Sequence, residues 1–264
     1  MNFSLFGKLK KFGITPDFLL VILGNLWIWR MFSKNPIVAL SSFIASWFLY
    51  RSLKNHKLYG LFIVGLIILA IFQIRQTEIY SLTYLTEQEK VVQIRRLNEY
   101  PPVKLNLWGK IVWIPLPHWL EERPEALILY RIQKNLSDAV SPNLYFFSNH
   151  PNERVGIKED EKFPYLLLPF FIIGLLGIEF RKNKTLLFFS VIVPLALVSL
   201  IGDKVDSEPI TMFPLMGVCS VFGIEYIKGL VRKLKSPTLR NLLPAIFICL
   251  YILIFLQTML YDRY

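Results

Sequence analysis

Two polar clusters hold the residue types from which chemistry is made. Asn149, His150, Asn152, Glu153 and Arg154 crowd one stretch, and Asp203, Asp206 and Glu208 stand together just before Pro209. An imidazole beside a carboxylate can take and return a proton. Three carboxylates can hold a divalent cation, and an arginine can clamp a phosphate. Each cluster also has a plainer reading. Ser148–Asn152 is a turn by composition, and the three carboxylates solvate a short connector. Arg154, Lys158 and Lys162 stand among Glu153, Glu159, Asp160 and Glu161, where local ion pairs use their charge. The chain has no glycine-rich phosphate loop, no HExxH, no GxSxG and no zinc spacing.

What must position these groups is apolar. Hydrophobic residues make up 54% of the 264 residues and the mean hydropathy is +0.45, too greasy for a soluble shell. They fall in blocks of roughly 17 to 21, enough to cross about 30 Å of hydrocarbon. A first helix is predicted from Thr15-Pro16-Asp17, a capping residue followed by proline, to about Phe32, short for a span. Further helices follow over 36–53, 58–74, 164–180, 185–202, 209–227 and 241–261. The expected fold is therefore mainly α, a polytopic bundle of seven membrane helices. Residues 1–75 hold helices one to three, 76–163 form a separate domain, and 164–264 hold helices four to seven.

The formal net charge of +11 is placed for topology, not for nucleic acid. Residues 76–163 hold eleven Lys/Arg against twelve Asp/Glu and are close to neutral. The excess sits in alternate short loops: Lys8, Lys10 and Lys11; Arg51, Lys54 and Lys57; Arg181, Lys182 and Lys184; then Lys228, Arg232, Lys233, Lys235 and Arg240. The intervening loops hold only Arg30 and Lys34, then Lys204. This alternation predicts a cytoplasmic N-terminus, with the C-terminus and residues 76–163 extracytoplasmic, in a bacterial plasma membrane. The first segment lacks a small-residue cleavage site and is expected to stay as an anchor. Cys219 and Cys249 both lie in apolar segments without CxxC spacing and read as small buried residues.

Within 76–163, Glu87 to Asn98 shows helical spacing of Val91, Val92, Ile94 and Leu97, and Pro101-Pro102 stops it. A second amphipathic helix is predicted from Pro124 to Ala139, and Leu144–Phe147 suggests a short strand. Trp108, Trp113 and Trp119 place residues 103–119 at the membrane interface, where indoles favour the headgroup level. In the spans, Pro169, Pro194, Pro214 and Pro244 read as tolerated kinks, and Ser41, Ser42, Ala45 and Ser46 as a small face for close helix packing. No ionisable group falls at mid-membrane depth, only amides such as Asn25 and Gln257, which disfavours a pump or solute transporter.

The second half also resembles a known family. Residues 144–151 (LYFFSNHP), 163–175 (FPYLLLPFFIIGL), the basic turn 181–184 (RKNK) and 209–215 (PITMFPL) follow one another as in the carboxy-terminal half of bacterial polyprenyl-phosphate-sugar glycosyltransferases. These are multi-pass enzymes of GT-C architecture, like protein mannosyltransferases, and the resemblance covers roughly residues 140–230. It implies a shared helical scaffold. It does not carry the catalysis over. Such enzymes place a carboxylate in the first outer loop, here FSKNP at 32–36, and an arginine after the last polar loop, here DSEPIT at 206–211.

The expected function is therefore a non-catalytic envelope protein that offers residues 76–163 to a partner protein or a polyprenyl-linked glycan, with the bilayer itself as the other partner and no cofactor. The rival is a glycosyltransferase using a lipid-phosphate sugar. In it Asp203, Asp206, Glu208 or His150 would be the catalytic base or hold a divalent cation, and Arg154, Asn149 and Glu153 would bind substrate.

Overall fold

The computed structural model describes residues 13–55, 58–76, 82–83, 85, 87–99, 103–114, 123–147, 162–178, 184–201 and 209–261. The chain is mainly α-helical. Three of its helices, over Pro36–Lys54, Ile210–Arg232 and Pro237–Leu260, are long and apolar enough to cross a membrane. Shorter apolar helices cover Tyr59–Arg75, Tyr165–Gly177 and Lys184–Leu200. Apolar helices of this length mark the molecule as membrane-associated.

The predicted first helix is two helices, α1 (Pro16–Leu23) and α2 (Leu26–Lys34). Its start is as expected: the Thr15 side chain accepts from the Phe18 amide at 3.2 Å, with Pro16 next. The break comes from Asn25, whose Oδ1 accepts from the Trp27 amide at 2.7 Å and so caps a new helix. The carbonyls freed at the break are taken up by other parts of the bundle. The Tyr251 hydroxyl donates to Gly24 O at 2.9 Å, and Trp29 Nε1 donates to Leu23 O at 2.7 Å. Neither half alone is long enough to span.

Next come α3 (Pro36–Asn55) and α4 (Tyr59–Gln76). The small face holds as predicted. Ser42, Ala45 and Ser46 are buried, and a Cβ added at Gly65 of α4 would meet the Ala45 methyl at 3.1 Å. Then follow α5 (Glu87–Glu99), strands β1 (Val103–Leu107) and β2 (Lys110–Ile114), α6 (Pro124–Val140) and the short α7 (Asn143–Phe146). The helices α5 and α6 match their predicted spans. One local reading is corrected. Leu144–Phe147 is not a strand: Pro142 starts a helical turn, and Tyr145 and Phe146 are buried by it. Residues 103–114 form an antiparallel hairpin in which Leu105 faces Val112.

The second half contributes α8 (Leu168–Gly177), preceded by a 3-10 turn, then α9 (Lys184–Leu187), a π-helical turn over Phe188–Ile192 and α10 (Val193–Ile201). The π turn has a local cause. Pro194 has no amide to give the Ser190 carbonyl and crowds it, so the ladder widens and Val193 N bonds Phe188 O instead. Pro169 and Pro214 are not kinks: both sit in the first turn of their helices, where a missing amide costs nothing. Pro244 lies inside the last helix. The chain closes with α11 (Phe213–Arg232) and α12 (Pro237–Tyr261).

The core is built round α11, whose residues 213–221 are all buried. It carries Cys219, fully buried, whereas Cys249 faces outward from α12. Phe163 stacks near Phe213 with ring centroids 5.4 Å apart, and farther along a Cβ on Gly174 would lie 2.9 Å from Gly223 N. Both pairs are offset by about fifty residues, so α8 and α11 run side by side in the same direction. Phe18, Trp27 and Phe163 complete an aromatic centre with Phe43, Tyr50 and Phe213.

Candidate functional site

The bundle has two polar ends. At one end Glu225 of α11 accepts from Lys54 at 2.9 Å and from Tyr50, and Thr15 approaches it at 3.5 Å; beside them Lys228 pairs with Asp17. At the other end the C-terminal turn of α4 meets the start of α11. The Gln73 carbonyl accepts from the Thr211 amide at 3.0 Å and from its hydroxyl at 2.7 Å, both residues being buried. Replacing Gln73 by methionine keeps the volume and leaves two buried donors unanswered, at a cost of about 1–3 kcal/mol. Its thermal midpoint in detergent should fall by several degrees, and an unchanged midpoint would mean that Thr211 finds another acceptor.

Residues 124–140 dock at this second end. Asn135 is buried on α6 and donates its amide to the Ser199 carbonyl at 3.1 Å, one of the last four carbonyls of α10, which lack helical partners. Below it the Tyr145 hydroxyl donates to Ala139 O at 2.9 Å, and burial pushes that phenol's pKa well above its ordinary value. One face of α6 is thus fixed to the body of the protein through Asn135 and Ala139.

An adjoining face of α6, with Arg131 at its edge, meets α5 across a groove. The join is ionic. Arg131 sends Nη1 and Nη2 to the two oxygens of Glu89 at 3.2 and 3.0 Å, and Lys134 reaches the same carboxylate at 3.2 Å. Apolar packing adds little on the α5 side, where Leu97 is the buried residue and Val91, Val92 and Ile94 remain exposed. The resulting cavity holds about 480 Å³. Leu85, Val92, Ala126 and Leu127 supply its apolar lining, and Arg96 and Lys134, the latter paired with Glu89, supply its charged lining. An apolar lining with cationic groups can take an apolar segment that carries acidic groups.

The sequence-predicted catalytic and binding residues Asn149, His150, Glu153, Arg154, Asp203, Asp206 and Glu208, and the interface residue Trp119, lie outside the described residues. Trp108 and Trp113 are described, and both are exposed on the hairpin. Among the described residues no group of three His, Cys, Asp or Glu side chains is placed to hold a metal ion. The groove itself was half-legible. The helical spacing of α6 marks Ala126, Leu127, Leu129, Tyr130 and Leu136 as one apolar face, of which Ala126, Leu127 and Tyr130 line the groove and Leu129 and Leu136 are exposed, but nothing in the sequence pairs Glu89 with Arg131 across 42 positions. No protein-family model matches the chain, and no curated protein or solved structure matches it.

Proposed function

We propose that this chain is an integral membrane protein of the cell envelope that holds residues 76–163 outside the membrane and offers the α5–α6 groove to an acidic, amphipathic segment of a partner protein. The observation that carries the reading is the groove: an uncovered apolar lining that includes cationic groups, and a rigid attachment of α6 to the bundle through Asn135 and Ser199. Helical segments bind such grooves by setting apolar side chains one turn apart into the lining. Val92 of α5 is an exposed apolar side chain in this lining that an occupant would take out of water.

The sidedness rests on the alternation of cationic loops, and the bundle is consistent with it. Lys54 and Lys228 lie at one end, while α6 docks at the other with Gln73 and Thr211. Seven crossings follow if α1 and α2 together count as the first, with α3, α4, α8, α9–α10, α11 and α12 as the rest. The resemblance over residues 140–230 extends this reading to a helical scaffold like that of the polyprenyl-phosphate-sugar transferases, without their first-loop carboxylate.

Labelling decides the sidedness. Asn98→Cys lies at the exposed end of α5, and in a Cys249→Ser background it should react with a membrane-impermeant maleimide on intact spheroplasts. Labelling that appears only after the membrane is opened would place the groove in the cytosol and end the proposal.

A further inference from the structure

The hairpin β1–β2 is built in a way that its own stability does not explain. Its tip is Trp108-Gly109, with φ of +50° and +78°. Positive φ at both central residues is the geometry of the tight turn that best fits strand twist, and asparagine or glycine normally fills the first of them. A bulky residue there costs on the order of 1 kcal/mol. Trp108 accepts that strain while its side chain is fully exposed and touches nothing that would repay it.

The register sorts the side chains into two faces. Val103, Leu105, Leu107, Val112 and Ile114 share one face with Lys110; Lys104, Asn106, Ile111 and Trp113 share the other. The first face is apolar and uncovered, with Leu107 half-exposed and Leu105 and Val112 about 40% exposed. Two strands with a bare apolar face are marginal in water. The charge is one-sided. Residues 103–114 contain Lys104 and Lys110 and no carboxylate, and Lys104 Nζ lies 4.4 Å from the centre of the Trp113 ring.

We infer that the hairpin is a wedge set into the headgroup layer of the adjacent leaflet, its Val103–Leu105–Val112 face on the acyl chains, Trp108 at the leading tip, and Lys104 and Lys110 against lipid phosphates. A bilayer is the occupant that matches all three features. It covers an apolar face without needing a complementary shape, it rewards an indole at the boundary, and its anionic headgroups answer two lysines. The wedge would hold the neighbouring α5–α6 groove at a fixed height above the membrane. The inference rests on the reading of residues 76–163 as a domain at the membrane surface.

Nitroxide labels at Leu105→Cys, Asn106→Cys and Val112→Cys test it, each in the full-length Cys249→Ser chain reconstituted in phosphatidylcholine vesicles containing phosphatidylglycerol. Collision with oxygen, which concentrates in the bilayer, is compared with collision with a water-soluble nickel chelate. The oxygen-to-nickel ratio should be severalfold higher at 105 and 112 than at 106. Trp108→Asn suits the turn, so the hairpin persists, and that variant should move the label at 105 toward water. Equal nickel access at all three sites overturns the wedge, and so does protection of 105 and 112 from both reagents, which would mean a protein cover. An unchanged depth in Trp108→Asn overturns it too. The two readings fail separately. A hairpin on the wrong side of the membrane keeps the alternation but fails the Asn98→Cys labelling, whereas a hairpin lifted off the bilayer passes the labelling and loses the alternation.

Discussion

Gly223→Ala, like Gly174→Ala, will strongly destabilise the bundle. A Cβ at Gly223 would overlap the Phe170 carbonyl oxygen, and one at Gly174 would overlap the Cys219 carbonyl oxygen. Both obstacles are helix backbone, which cannot swing aside as a flexible side chain can. The methyl group must push α8 and α11 apart, and with them the packing of Phe163 on Phe213 and of Phe170 on Phe247. Small residues allow this kind of close approach between membrane helices, whose association depends on packing contact. Overpacking of this kind costs about 3 kcal/mol. The helix propensity of alanine over glycine works the other way by about 1 kcal/mol and does not offset it.

Gly229→Ala is the internal control. It lies on the same helix α11, and an added Cβ there meets nothing within 4 Å, so it should leave stability unchanged or slightly raised. Cys219 supplies the readout. It is fully buried at the α8–α11 contact, so a thiol-reactive dye in a Cys249→Ser background reports the opening of that contact during a thermal ramp. Gly174→Ala and Gly223→Ala should lower the midpoint strongly, and Gly229→Ala should not. Equal midpoints for all three would show that the helices do not pack backbone to backbone.

These glycines show why parts of the fold can be read from sequence and parts cannot. The Thr15 cap, the proline at the start of α1, the small face of α3 and the amphipathic spans of α5 and α6 are local patterns, and each appears where its residues place it. The break at Gly24-Asn25 is also local, but it competes with an apolar run that favours a continuous helix. Only the Tyr251 and Trp29 hydrogen bonds, one of them from 227 residues away, make the break cheap. The hairpin escaped because its usual signal, asparagine or glycine before Gly109, is replaced by Trp108, and because aromatic residues in 103–114 pointed to the interface instead. The contact of Gly174 with α11 is invisible for a different reason. It depends on which helices are neighbours, and periodicity within one helix carries no such information.

The same reasoning makes Arg131 the residue on which the groove depends. Its guanidinium side chain is 6% exposed and its partner carboxylate on Glu89 18%, so the pair is shielded from the screening that reduces surface ion pairs to almost nothing. Removing one partner of a buried pair leaves the other without compensation, a cost of about 3–5 kcal/mol when burial is complete. Here Lys134 still reaches Glu89 at 3.2 Å, and the carboxylate keeps some water, which brings the expected loss down to about 2 kcal/mol. That loss falls on α5, because Leu97 is its buried residue and the ion pair joins it to α6. Arg131→Met should therefore release α5 while leaving the bundle intact. Amide hydrogen exchange over residues 87–99 should rise by more than tenfold, with α11 unchanged, and photocrosslinks from Val92 to a partner should fall in parallel. Arg131→Lys should recover little, since an ammonium cannot span both carboxylate oxygens as the planar fork does. The exchange of Glu89→Arg with Arg131→Glu should recover more. Full protection of residues 87–99 in Arg131→Met would mean that α5 is held by contacts other than this pair, and the groove would then have to be explained without it.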